Sequence, residues 1–116
     1  MSTAPLPADR QAIVYQMFNE EMKRSIRALI TEDLIDEYRR QPLGRHSDAL
    51  ERVLNFFRRP PRYGLYARVS CREFQVIRVP LTPGAPPDFV DETVYTDEAA
   101  AYHAVFLCHV ADLMRA

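Results

Sequence analysis

The sequence predicts an α+β fold in which N-terminal helices precede a small antiparallel β-sheet of two to three strands, and a C-terminal helix docks on that sheet. Two changes of pattern predict this order. Apolar residues recur at helical spacing up to about residue 58, then alternate with polar residues to about residue 79, and helical spacing returns after residue 96. We expect residues 1–7 to form a flexible leader and residues 8–116 to form a single α+β domain.

Three helices are expected in the first half of the chain. The first spans about residues 8–30 and is amphipathic, because its apolar residues share one face. These residues are Val14, Met17, Phe18, Met22, Ile26, Leu29 and Ile30. Thr31 can cap a second helix from Glu32 to Arg40, and Ser47 can cap a third that ends near Arg58, just before a Pro-Pro pair.

The alternating region predicts two paired strands, one at about residues 65–70 and one at about residues 74–79. The apolar residues Ile77 and Val79 change parity within the second strand, which indicates either a bulge there or a change of the covered face. The connection at residues 70–72 holds no Gly or Asn, so a tight turn is only weakly indicated.

The chain after the second strand predicts a loop, a short strand and the final helix. Residues 81–91 read as a Pro/Gly loop, and Thr93 to Tyr95 can add an edge strand. Thr96 can cap the final helix, which Asp97 and Glu98 open. One side of that helix is expected to dock on the sheet through Tyr102, Val105, Phe106, His109 and Leu113.

Positive charge is concentrated in residues 39–78. That segment holds ten arginines and three acidic residues, a net of +7, whereas residues 1–38 carry −3 and residues 79–116 carry −5. Aromatic residues are interleaved with the arginines, and this mixture is typical of the centres of protein–protein interfaces. We weigh three explanations: internal ion pairs, a protein partner, and nucleic acid. Nucleic acid is disfavoured because the sequence pI is about 6.3, both flanks are acidic and the chain has one lysine.

The sequence shows no catalytic, cofactor-binding or metal-binding constellation. His103 and His109 are six residues apart, about 240° around a helix, so they do not share a face. No phosphate-binding loop, nucleophile elbow or paired-cysteine motif is present. No apolar run could span a membrane, and the N-terminus lacks the features of a secretory signal. With Cys71 and Cys108 expected to be reduced, we predict a cytoplasmic protein.

Several short segments, taken in order over residues 41–110, resemble the small (alpha) subunit of N,N-dimethylformamidase. These are QPLGRH at 41–46, ERVLNFFR at 51–58, PRYGLY at 61–66, SCREF at 70–74, TDEA at 96–99 and HAVFL at 103–107. In that family the large subunit carries a mononuclear iron held by two tyrosines and a glutamate, and it hydrolyses formamides to formate and an amine. The resemblance therefore implies a small subunit that packs on a large catalytic partner and supplies no catalytic residue.

The chain also departs from the family pattern. It is shorter at both ends, residues 80–87 are rich in proline, and its cysteines lie outside the pattern. These departures leave open a paralogue that serves a related amidohydrolase, or a free-standing relative.

Six residues of the arginine-rich segment are the predicted anchors for the large subunit: Arg58, Arg62, Tyr63, Tyr66, Arg68 and Arg72. The alternative is a standalone binding module that forms a homo-oligomer, such as a homodimer, through the edge of its sheet. Weak nucleic-acid binding is a less favoured version of that alternative, and no membrane partner is expected.

Overall fold

The structure is a computed structural model that describes residues 7–58, 61–69 and 72–115, and it has the predicted α+β architecture. Its elements, in chain order, are α1 (Pro7–Leu29), α2 (Glu32–Arg40), α3 (Asp48–Phe57), β1 (Tyr63–Val69), β2 (Glu73–Arg78), β3 (Asp88–Phe89) and α4 (Glu98–Arg115). Of the predicted leader, Pro7 begins α1 and the remaining residues lie outside the described part of the chain.

The helix caps of α2 and α3 agree with the sequence prediction. The hydroxyl of Thr31 accepts the N–H of Leu34 at 3.1 Å, and the hydroxyl of Ser47 accepts the N–H of Leu50 at 3.3 Å. Each bond satisfies a backbone donor that has no partner within its own helix. For α4 the predicted cap is one residue early, because the Asp97 carboxylate, not Thr96, accepts the N–H of Ala99, at 3.2 Å.

The three strands form one antiparallel sheet in the order β1-β2-β3. A bulge lies in β1, between Ala67 and Val69. Of the two alternatives predicted for β2, the bulge is not formed, because residues 74–78 pair in regular register with β1. The third strand is Asp88–Phe89, within the segment predicted as a loop, and not residues 93–95. Segment 88–90 runs alongside β2, since the N–H of Val90 also donates to the carbonyl of Val76, at 3.0 Å. The turn at residues 70–71 lies outside the described residues.

The predicted third strand survives only as a single bridge. Tyr95 forms an isolated antiparallel bridge with Phe74, in which each N–H donates to the other's carbonyl at 2.8 Å. One bridge at the end of β2 is too short to count as a strand, so the sheet ends with β3 on this side.

The hydrophobic core lies between the helices, and α4 runs across both this core and the sheet. Leu50 and Val53 of α3 are fully buried, and Tyr38 of α2 stacks on Phe106 of α4 with ring centroids 4.4 Å apart. The buried residues of α4 are Ala101, Phe106, His109, Val110 and Leu113. Docking of α4 on the sheet is therefore confirmed, although Tyr102 and Val105 are only partly buried.

The predicted apolar face of α1 is covered only towards its C-terminal end. Ile26 is 4 % exposed and belongs to the core, and the guanidinium Nε of Arg27 donates to the carbonyl of Leu113 at 3.0 Å. Further towards the N-terminus, Val14, Met17 and Phe18 are exposed. The helix therefore extends beyond the domain, and the molecule measures 65 × 36 × 23 Å along its principal axes.

Candidate partner interface

The sheet has one face covered by α4 and one open face. Alternate residues of a strand point to opposite faces, and the Tyr63 hydroxyl donates to Oδ2 of Asp112 in α4 at 2.7 Å. Leu65 has the same parity as Tyr63, and its cross-strand partner Val76 is buried. Tyr66 has the opposite parity, so its ring lies on the open face.

The open face consists of side chains from all three strands: Tyr66, Arg68, Glu73, Gln75, Ile77 and Phe89. Tyr66 is paired with Gln75, and its ring meets that of Phe89 edge-on with centroids 5.5 Å apart. Tyr66 is 41 % exposed and Phe89 is 39 % exposed. Two partly exposed aromatic rings beside an arginine form the kind of surface that protein partners use.

Tyr63 belongs to an internal cluster centred on His109. The His109 side chain is 9 % exposed, stacks on Phe57 with centroids 4.9 Å apart and meets the edge of the Tyr63 ring at 5.1 Å. Its Nε2 accepts the N–H of Arg62 at 3.3 Å. Burial lowers the pKa of His109, although a hydrogen bond to the carbonyl of Val105 acts in the opposite direction. The ring is therefore a neutral structural element that ties α4 to the start of β1.

Burial and the hydrogen bond to Asp112 together raise the pKa of Tyr63. Burial alone would raise the pKa of Asp112, but hydrogen bonds from Tyr63 and Arg115 lower it overall. The hydroxyl and the carboxylate therefore stabilise each other within the fold, because a phenol donates best to an ionised carboxylate. Tyr63, one of the six predicted anchors, therefore has its hydroxyl group bonded within the fold.

The other predicted anchors lie at the two ends of β1. Arg58 follows α3 and donates to Oδ1 of Asn55 at 3.4 Å, and Arg62 is exposed just before the strand. Arg68 and Arg72 lie near the opposite end of β1. Because a strand rises about 3.3 Å per residue, the Cα atoms of Arg62 and Arg68 are separated by roughly 20 Å. The structure thus brings Tyr66 and Arg68 together on the open face and leaves Arg58 and Arg62 as a separate group.

Several arginines of the segment form internal ion pairs. Arg39 and Arg40 both contact Asp36 within α2, and the bond from Arg39 is the largest cause that lowers the pKa of that carboxylate. Arg78 contacts Asp88 across the sheet at 3.4 Å. These pairs are exposed, and such pairs contribute little to stability. Internal pairing therefore accounts for part of the positive charge.

The loop between α2 and α3 is fixed by polar side chains. Glu37 accepts both the N–H and the hydroxyl of Ser47 at 2.7 Å, and these bonds lower its pKa. His46 has Nδ1 at 3.1 Å from Oε1 of Glu51 and Nε2 at 2.8 Å from the carbonyl oxygen of Gln41. Each of these groups thus has a structural partner within the loop or the adjoining helices.

Two further titratable groups, His103 and Cys108, have pKa values shifted by burial. Burial lowers the pKa of His103, which lies beside Tyr38 with its Nδ1 buried and unbonded. Burial also raises the pKa of the half-buried Cys108 thiol. Within residues 7–58, 61–69 and 72–115, no three His, Cys, Asp or Glu side chains are grouped so as to hold a metal ion. No helix in this described part is long and apolar enough to cross a membrane.

A second exposed apolar surface, which the sequence analysis did not predict, lies on the N-terminal half of α1. It is formed by Ile13, Val14, Tyr15, Met17 and Phe18. The available signal was that apolar residues between positions 13 and 18 occupy more than one side of the helix. The pattern resembles an ordinary amphipathic helix, however, if only the stripe that continues to Ile26 is followed.

Comparison with known proteins gives consistent matches over most of the chain. The family described as N,N-dimethylformamidase alpha subunit matches residues 13–116. The N,N-dimethylformamidase alpha subunit of Alcaligenes sp. is 35 % identical over 112 residues, which cover 90 % of this chain and 84 % of the relative. The N,N-dimethylformamidase alpha subunit of Paracoccus aminophilus is 34 % identical over 112 residues, with 90 % of this chain and 79 % of the relative covered.

Proposed function

Because the chain belongs to the N,N-dimethylformamidase alpha subunit family, we propose that it is the small, non-catalytic subunit of an N,N-dimethylformamidase-like amide hydrolase. In this proposal it packs on a large catalytic subunit and stabilises it, and the large subunit holds the iron. The observation that carries the proposal is the family match over residues 13–116, which includes every described strand and helix except the first turns of α1.

The state of the titratable groups supports a structural role. Catalytic groups usually combine a perturbed pKa with access to a cleft. Here His109, Asp112 and Glu37 each have a partner within the fold, and the pKa values of His103 and Cys108 are shifted mainly by burial. Their shifted pKa values are therefore explained by burial and by those partners, without reference to a substrate.

The arrangement of the tyrosines also favours an iron site on the partner. The resemblance implies an iron bound by two tyrosines and a glutamate. In this chain Tyr63 and Tyr66 lie on opposite faces of β1, and Tyr38 is stacked within the core. These three tyrosines therefore do not form a ligand pair with one another, and we assign the iron to the large subunit, as the resemblance implies.

The open face is the surface through which we expect the anchors Tyr66 and Arg68 to act. Tyr66 offers a partly exposed ring, and Arg68 lies beside it and makes a long contact with Glu73, at 4.0 Å. Arginine can form paired hydrogen bonds with a carboxylate of the partner and can stack on its aromatic rings. A partner that covers this face would bury both rings and redirect the arginine from its weak internal contact.

The decisive experiment is native mass spectrometry of this chain after co-expression with the dimethylformamidase large subunit of the same organism. We expect a stable hetero-oligomer in which iron is retained by the large chain. We expect Tyr66→Ala and Arg62→Ala to weaken the assembly while the isolated chain keeps its melting temperature. Arg39→Ala is the matched control, since Arg39 is an exposed arginine of α2 that is paired within its own helix. Failure of the wild-type chains to associate would refute the proposed function.

A standalone homo-oligomer is the second candidate, because β1 is an edge strand. The edge of a sheet can pair with another chain through backbone hydrogen bonds. Sedimentation of the purified chain alone distinguishes the two functions. A stable homo-oligomer that does not dissociate when the large subunit is added would favour the second candidate. Binding to polyanions that falls with added salt would instead indicate a nucleic-acid ligand.

A further inference from the structure

The N-terminal half of α1 carries an apolar collar, defined as Ile13, Val14, Tyr15, Met17 and Phe18. Each of these side chains is between 51 % and 68 % exposed. Soluble monomers rarely leave so many large apolar side chains together in water, and an exposed apolar patch usually marks an interaction site. We therefore expect the collar to be covered by another molecule, because the described residues of this chain do not cover it.

The collar extends around most of the helix. At about 100° per residue, the collar side chains follow one another around the helix axis in the order Ile13, Met17, Val14, Phe18 and Tyr15. Phe18 lies roughly 140° from Ile13, and the whole arc from Ile13 to Tyr15 covers roughly 200°. A helix that pairs with one other helix, or lies on a flat surface, needs an apolar stripe only about 100° wide. An arc twice as wide fits a groove that surrounds the helix on several sides.

The collar is continuous with a groove on the domain itself. Tyr15 and Phe18 lie at one end of this groove, and its other wall is formed by Arg52, Asn55 and Phe56 of α3. The groove has a volume of about 660 Å³ and leads from the collar to the buried turn of α1. A partner that binds the collar can therefore also contact α3 and fill the groove between α1 and α3.

The projecting helix has little internal support. Most of the stability of a helix in a protein comes from packing of its apolar face, and the collar is not packed by the described residues of this chain. The ion pair between Lys23 and Glu20, at 3.6 Å, is exposed and contributes little. Packing of the collar by a partner would fix the helix in place.

A second copy of this chain is a poorer occupant than a larger protein. With typical side-chain areas, the collar exposes on the order of 500 Å². Two helices side by side would cover only part of that area on each chain, which gives less than the roughly 1,200 Å² of a stable interface. A groove in a large partner can cover the whole collar and the α3 wall as well.

We propose that the apolar collar of α1 is a docking helix that inserts into an apolar groove of the enzyme's large subunit. This inference rests on the proposed function, and it identifies a surface separate from the open face. The mode is that of an amphipathic helix in a groove, in which a few large side chains supply most of the affinity.

Three variants test the inference in the full-length chain. Ile13→Gln and Phe18→Gln each replace an exposed apolar residue on a different side of the collar. Leu81→Gln is the matched control, because Leu81 is fully exposed in a loop outside the collar. Affinity for the dimethylformamidase large subunit is measured by titration calorimetry. Far-UV circular dichroism and the melting temperature of each variant check that its fold is intact.

We expect both collar variants to weaken binding by at least roughly tenfold, and we expect the control to bind like the wild type. If the wild-type chain binds and both collar variants bind equally well, the docking helix is refuted while the proposed function stands. If the wild-type chain does not bind, the proposed function fails and the docking inference fails with it. If only Phe18→Gln has an effect, and that effect is loss of self-association in sedimentation, the collar joins two copies of this chain and the inference is overturned.

Discussion

Replacement of His109 by glutamine should remove a pH-dependent part of the stability. The folded ring is buried, stacked on Phe57, and accepts the N–H of Arg62 through Nε2. Its pKa lies below the usual 6.5, with burial as the main cause. As the pH falls, the unfolded chain therefore binds this proton before the folded chain does. The contribution of His109 is fully present above the unfolded pKa and is lost as the pH falls towards the folded pKa.

The size of this loss has an upper limit. One proton bound only by the unfolded chain changes the free energy of unfolding by at most about 1.4 kcal/mol per pH unit. Between about pH 7.5 and about pH 5.5 the loss amounts to roughly 1.3 kcal/mol if folded His109 stays neutral throughout. Glutamine does not titrate, and its amide oxygen can still accept the N–H of Arg62, so the variant lacks this pH dependence. Burial also lowers the pKa of His103, but that histidine is present in both proteins.

The assay is urea unfolding followed by circular dichroism for wild type and His109→Gln across this pH range. The variant is expected to be less stable at high pH, because it loses the stacking on Phe57. The difference between the two proteins should shrink as the pH falls below about 6.5. Two curves that run parallel over the whole range would show that His109 titrates alike in both states and would refute the argument.

Three further predictions concern the fold and can be measured by urea unfolding at neutral pH. Leu50→Ala should cost about 2–5 kcal/mol, because Leu50 is fully buried and alanine leaves a cavity. Ser47→Ala should cost about 1 kcal/mol through loss of the cap of α3, and an unchanged midpoint would contradict that assignment. Tyr63→Phe should cost about 1 kcal/mol because it removes the bond to Asp112, whereas Tyr66→Phe should cost almost nothing.

The parts of the fold that depend on local rules could be predicted from the sequence. The caps Thr31 and Ser47 and the proline pair after α3 set the ends of two helices, and α2 has the predicted bounds. These signals act within a few residues of one another, so they do not require knowledge of the tertiary structure. The family resemblance was likewise visible in short motifs, and comparison over residues 13–116 confirmed it.

The errors arose where distant contacts decide the outcome. The third strand formed at Asp88–Phe89 because that segment reaches the free edge of β2, and alternation of apolar residues cannot reveal which segment arrives there. The bulge lies in β1 and not in β2 for a similar reason, since its position depends on the register between the two strands. The exposure of Phe18 could not be read from periodicity, because an amphipathic stripe does not tell whether its own domain or another chain covers it.

The division of polar groups in this domain explains why the surfaces proposed for recognition are apolar or rich in arginine. On the α4 side of the sheet, the hydroxyl of Tyr63, the carboxylate of Asp112 and the ring of His109 satisfy one another or nearby backbone groups. Buried polar groups must be paired in this way, so they have little capacity left for a ligand. Side chains that can still contact another molecule are those that remain exposed, such as Tyr66 on the open face and Phe18 on the collar. This distribution of contacts supports the proposal that the chain binds its partner through exposed apolar and arginine side chains and that catalysis takes place on that partner.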